Sequence, residues 1–186
     1  MAKKGELTKN MILQAANQLF AEKGFKDVTM SDICDRTGLS RGGLYRHYAS
    51  TSDIFKELIS NEYTFDDRIE SQESAMAILE DSLDILEQEI MQQEKSLSLA
   101  IYEYANIGNH SKDFLDLEKK AKAKWVNLID YGIRTGEFNQ VSSEAVAEMI
   151  LYYYQGLRMW SRVINIGSES AEFYRNNIIH ILTGGR

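Results

Sequence analysis

Arg41, Gly42, Gly43, Tyr45, Arg46 and His47 stand close together in one short run, and an arginine followed by two glycines has a specific chemical use. The planar guanidinium fork matches the O6 and N7 acceptors of guanine, a pairing worth roughly 1–3 kcal/mol of discrimination. A recognition helix lies in the major groove with its N-terminal residues against base edges, which is where Arg41 falls if Ser40 caps the helix. Gly42 and Gly43 each cost up to about 1 kcal/mol relative to alanine inside a helix. Two reasons would justify them: a close approach of backbone to DNA, or tight packing of this helix on the one before. Thr29, at an exposed helix start, would offer its backbone N–H to a phosphate. Lys3 and Lys4 suggest a mobile basic arm. Such groups position a protein on a duplex, while Arg41 and the glycines would specify the sequence it reads.

The elements that must hold these residues are helical. Proline is absent and apolar residues recur at intervals of three and four, which predicts an all-α chain. Ile12, Leu13, Ala16, Leu19 and Phe20 form one stripe that ends at Lys23 and Gly24, a cationic last turn followed by glycine. Thr29 to Asp32 has the form of a capping box, opening a short helix that turns Ile33 and Cys34 inward. Gly38 breaks it, Leu39 plugs the corner, and Ser40 starts a third helix with Leu44, Tyr45 and Tyr48, with Tyr48 read as core filler. Two short helices around a glycine turn make a helix-turn-helix. Ser50 to Asp53 caps a fourth helix, with Ile54, Phe55, Leu58 and Ile59, expected to link two domains. The expected division is a three-helix helix-turn-helix DNA-binding domain over residues 1–50 and a larger helical domain over 51–186.

In the second part, Met76, Leu79, Leu83, Leu86 and Ile90 form a seam, a segment runs from Leu97 to Ile107, and a longer helix from Phe114 closes at Gly136. The helix after Val141 is apolar on two sides. One face carries Val146, Met149, Ile150, Tyr153, Leu157, Trp160 and Ile164, and the other Ala145, Tyr152, Gly156, Met159 and Val163. A helix apolar on two sides must be covered on two sides, either as a central core helix or by a symmetry mate. With the last helix, Ala171 to Leu182, the second alternative gives a homodimer interface from Tyr152, Gly156, Met159, Val163, Tyr174 and Ile178. Aromatics and methionines are plentiful here, and a small-molecule pocket would draw on Met91, Tyr102, Phe114, Trp125, Tyr153 and Trp160, although the same residues suit an ordinary core.

The chain of 186 residues has a net charge of −7, which by itself disfavours a polyanion partner. The charge is uneven: nine basic residues face seven acidic ones through Ser60, a net of +2, leaving −9 on the remainder. Only the front of the molecule suits DNA. Cys34 is the single cysteine, so no internal disulfide, zinc or redox pair is expected, and no cofactor or metal. His47, His110 and His180 are far apart, no phosphate loop or nucleophile motif occurs, and carboxylate pairs such as Asp66 and Asp67 look solvated, so no enzyme activity is expected. Neither a signal segment nor a membrane span is expected, which places the protein in the cytoplasm.

The run from Thr29 to Tyr48, with Ile33, Gly38, Leu39, Ser40, Leu44, Tyr45, His47 and Tyr48 in order, resembles the DNA-binding signature of the TetR family of bacterial repressors. Phe20, Gly24 and Phe25 resemble the end of that family's first helix. The match is specific over the first third of the chain, and looser from Gly132 to Phe138 and from Ser143 to Gly156, near and within the family's dimer-forming helix. It implies that Tyr45 and His47 contact phosphates and that Arg46 lies close to backbone or base. It also implies a homodimer on a palindromic double-stranded operator, and an effector that favours a conformer no longer matching that operator. Cys34 and Thr37 stand where alanine is usual, and Tyr48 where phenylalanine is. Thr51 replaces a lysine that reaches a phosphate in many members, so either one contact is missing or its hydroxyl serves. A TetR-like helical interaction protein without operator binding is the alternative, supported by the acidic average and by Thr51.

Overall fold

The computed structural model describes residues 2–60, 64–92, 96–107 and 110–185, the side chains of 2–4, 111 and 113 excepted. Among the described residues there are helices and no strands: α1 (Ala2–Lys23), α2 (Met30–Thr37), α3 (Arg41–Tyr45), α4 (Thr51–Ile59), α5 (Asp66–Glu70), α6 (Ala75–Met91), α7 (Ser98–Asn106), α8 (Ser111–Thr135), α9 (Ser143–Trp160) and α10 (Ser168–Thr183). The chain forms two compact units, residues 1–62 with 97–110, and residues 63–96 with 111–186.

In the first unit the expected stripe of α1 is its buried side: Ile12, Ala16, Leu19 and Phe20 are all inaccessible or nearly so. α1 packs on α2, α4 and α7. It begins at Ala2, so the backbone of Lys3 and Lys4 belongs to a helical turn rather than to a mobile arm, and their side chains lie outside the described residues. The unit extends beyond Ser50, because α4 buries Ile54 and Phe55 in it and α7 buries Tyr104. Phe55 meets Phe20 edge-on at 4.9 Å and Tyr104 at 5.0 Å, and Phe25 meets Tyr104 at 4.8 Å. Aromatic pairs at such separations contribute about 0.5–1.5 kcal/mol each beyond the area they bury.

The second unit is built on α6, α8, α9 and α10, with Ile78, Leu79, Leu83, Trp125, Leu128, Ile129, Ile150 and Tyr174 in its core. The short α5 was not anticipated; its Arg68 pairs with Glu73 and Asp81. The Glu137 carboxylate accepts the amide N–H groups of Ala75 and Met76 at the start of α6. Gly132 is a packing glycine, since a Cβ there would lie 2.2 Å from the Phe138 ring.

Of the two alternatives for α9, the structure speaks against the first. Val146, Ala147, Ile150 and Tyr154 are buried, while Met149, Tyr152, Tyr153, Met159 and Trp160 are exposed. Met149, Tyr153 and Trp160 from one apolar face and Tyr152 and Met159 from the other are therefore open, and α9 is not a central core helix within this chain. The inner face is narrower than the apolar pattern because α6, α8 and α10 cover only one side.

Candidate nucleic-acid interface

Local chemistry sets the ends of the two short helices. Thr29 caps α2 in a reciprocal box: its hydroxyl oxygen accepts the Asp32 N–H at 3.2 Å, and its own N–H donates to the Asp32 carboxylate at 2.9 Å. The Thr29 hydroxyl, then Lys23, hold the Asp32 carboxyl well below the usual carboxylate range. This box corrects the expectation for Thr29, whose amide is already engaged. Gly38 ends α2 at φ +71°, a left-handed conformation that residues with a Cβ adopt only at a cost.

Ser40 caps α3 by accepting the Gly43 N–H at 3.2 Å. The inner edge of this helix is Leu44, fully buried, and beyond its end Tyr48, whose hydroxyl donates to Glu57 at 3.1 Å. Burial, then the Glu57 charge, pushes the Tyr48 phenol up, as suits a core residue. The outer edge is Arg41, Gly42, Tyr45, Arg46 and His47, all exposed. The edge expected to face a duplex is thus open to one.

Gly42 separates the two explanations for the glycine pair. A Cβ built there would meet nothing within 4 Å, and one on Gly43 would meet only Ser40 Oγ at 3.3 Å and Leu39 at 3.9 Å. Tight packing of α2 on α3 does not require either glycine. The nearby basic side chains divide in the same way. Lys9 pairs with Glu57, Lys23 with Asp32 and Arg36 with Glu22, whereas Arg41, Arg46 and His47 have no ion pair among the described residues. Thr51 is half-buried at the first position of α4, behind the Ser50 cap that accepts the Asp53 N–H at 3.2 Å.

Residues 12–58 match the model of the tetR family of bacterial regulatory proteins, and residues 78–173 match that of the tetracyclin repressor-like C-terminal domain. The chain belongs to the TetR family. It is 28% identical over 155 residues to the HTH-type transcriptional regulator YfiR of Bacillus subtilis, spanning 78% of this chain and 76% of that protein. It is 26% identical over 153 residues to the HTH-type transcriptional repressor KstR2 of Mycobacterium tuberculosis, spanning 74% and 70%. A TetR transcription regulator from Haloarcula marismortui shares the fold at a TM-score of 0.65 and 22% identity, over 94% of this chain and 95% of that one. The all-α expectation and the helix-turn-helix assignment therefore hold, and the family is one of transcription regulators rather than enzymes.

The six residues expected to line a pocket lie in different settings within this TetR-family chain. Tyr102 is exposed on α7 in the first unit, Met91 is exposed at the end of α6, and Trp160 is exposed on α9. Trp125 is core, 5.2 Å from the Phe65 ring, and Phe114 lies on α8, half-buried. Tyr153 stacks on Tyr174 at 5.3 Å and borders an open groove of about 610 Å³ between α9 and α10, lined also by Met149, Tyr152, Phe173, Asn177 and Ile181. Of the residues expected at a dimer interface, Tyr152, Met159 and Val163 are exposed and Gly156 half-buried, but Tyr174 and Ile178 are only 2% exposed. These two are core residues at the floor of the groove. The rim of α10 is Phe173, Asn177 and Ile181, which their spacing of four residues would have revealed. Among the described residues no helix is long and apolar enough to cross a membrane.

Proposed function

We propose that this TetR-family chain is a cytoplasmic repressor that binds a palindromic double-stranded operator as a homodimer and is released by a small-molecule effector. The observation that carries the reading is the outer edge of α3, where exposed cations and a bare glycine backbone stand over a buried Leu44 and Tyr48. Arg41 reads a base, Gly42 admits the backbone to the groove, and Tyr45, Arg46 and His47 hold phosphates or their surroundings, with Ser40 and Thr51 at the helix starts. Residues 1–50 do the reading with α4 and α7 as supports, and the rest of the chain binds effector and partner. The exposed face of α9 and α10 takes a second copy, because an isologous interface needs one self-complementary apolar patch and this face leaves Met149, Tyr152, Tyr153 and Phe173 exposed.

Selection from a random duplex pool, followed by anisotropy titration at several salt concentrations, tests the reading. The expected product is a two-half-site sequence whose binding weakens steeply as salt rises. Recovery of no preferred sequence would leave a TetR-fold interaction protein instead.

A further inference from the structure

α7 lies in the middle of the sequence, between segments that belong to the second unit, yet it packs in the first. Its Tyr104 is buried against Phe25 and Phe55, and the residue beside it, Glu103, performs a separate task. The turn between α1 and α2 satisfies its own outer amides, Gly24 N–H bonding to the Phe20 carbonyl at 2.9 Å and Val28 N–H to the Phe25 carbonyl at 3.5 Å. Two of the amides between them, those of Phe25 and Lys26, both donate to one oxygen of Glu103, at 2.7 and 3.0 Å. Successive backbone N–H groups converging on one point form an anion nest, here filled by a carboxylate nearly eighty residues away. The fit is close, since a Cβ on Gly24 would lie 2.5 Å from that oxygen. Three residues after Lys26, the chain reaches Thr29 and the start of α2.

We propose that Glu103 is a positioning residue for DNA binding, its carboxylate clamping the turn at Phe25 and Lys26 and thereby fixing the start of α2 relative to α3. The proposal rests on the DNA-binding reading above. Without the clamp the turn samples other conformations, and apparent affinity falls by the fraction of molecules still correctly posed. Hydrogen bonds to an ionised acceptor are about twice as strong as neutral ones, so charge as well as shape matters at this position.

The test compares wild type, Glu103→Gln and Glu103→Ala on the selected operator duplex, alongside a core variant in the second unit, Leu83→Ala, as a control for general destabilisation. All are measured at a temperature where each is folded, with hydrogen exchange of the Phe25 and Lys26 amides as a second readout. Glu103→Ala is expected to weaken operator binding about tenfold, and Glu103→Gln, which keeps an acceptor oxygen without the charge, about threefold. Exchange at the two amides rises in the same order, and Leu83→Ala changes neither. Should Glu103→Ala fail to fold, Glu103→Gln decides. Wild-type affinity and unchanged exchange in the Glu103 variants would overturn the proposal while leaving the DNA-binding reading intact. A wild type that selects no duplex would sink both.

Discussion

α3 and α9 both leave large side chains in the open, but with opposite chemistry. α3 and the turn after it present Arg41, Arg46, His47 and the half-exposed ring of Tyr45 around a stretch of bare backbone, while α9 presents Met149, Tyr152, Met159 and Trp160. The Arg41 and Arg46 guanidiniums, without an ion pair among the described residues, favour a polyanion, whose condensed counterions are released on contact; a broad apolar face favours another apolar face. The lesson is that exposure alone does not identify a partner, whereas exposure together with the chemistry of what is exposed does. Even the glycines follow this division, with Gly42 open to space and Gly132 pressed against the Phe138 ring.

The largest effect should come from spoiling the apolar face. Tyr152→Asp combined with Met159→Asp places charge on a surface whose core neighbours are untouched. Sedimentation equilibrium should then show monomer at micromolar concentration, and operator affinity should drop on the order of a hundredfold or more as simultaneous engagement of two half-sites is lost. An unchanged dimer would remove α9 from the interface and break the contrast with α3.

A smaller effect, and a sharper one, comes from placing the same methyl group on both glycines. Gly132→Ala drives a Cβ into Phe138 and should lower unfolding free energy by about 1–3 kcal/mol in denaturant titration. Gly42→Ala should raise it by up to about 1 kcal/mol through helix propensity, yet weaken operator binding about tenfold, the size of one spoiled base contact. A stabilised Gly42→Ala protein with wild-type affinity would mean that the glycine does not face the duplex.

The smallest effect belongs to the helix start. Thr29→Ala should cost about 1 kcal/mol of stability. Because the folded state holds the Asp32 carboxyl low, the stability it adds is fully present at neutral pH. That contribution is lost as pH falls below about 4, through the folded-state value. The stability gap between wild type and Asp32→Asn should therefore narrow in acid, and a gap independent of pH would contradict the role of the box.

What was legible in the sequence follows from the range of the interactions concerned. Capping at Thr29, Ser40 and Ser50, the stop at Gly38 and the buried stripe of α1 all depend on residues within a turn or two, and all were readable. Lys3 and Lys4 read as an arm because nothing in the sequence marks the start of a helix that begins at Ala2. The placement of α7 in the first unit and the clamp of Glu103 on Phe25 depend on partners some eighty residues apart, for which a single sequence carries no periodic signal. For the same reason the sequence leaves open what covers α9. Its apolar pattern covers two sides, but which side α6 and α8 occupy is decided by the fold rather than by the helix. The Thr29 amide is engaged because a capping box uses the N–H as well as the hydroxyl.

The most direct measurement of the central claim is binding of Arg41→Ala to the selected operator and to an unrelated duplex of the same length. The account predicts a loss of roughly 5- to 150-fold on the operator, the equivalent of about 1–3 kcal/mol of lost discrimination, with much less change on the unrelated duplex and loss of preference at one base position. Equal weakening on both duplexes, or none on either, would contradict it.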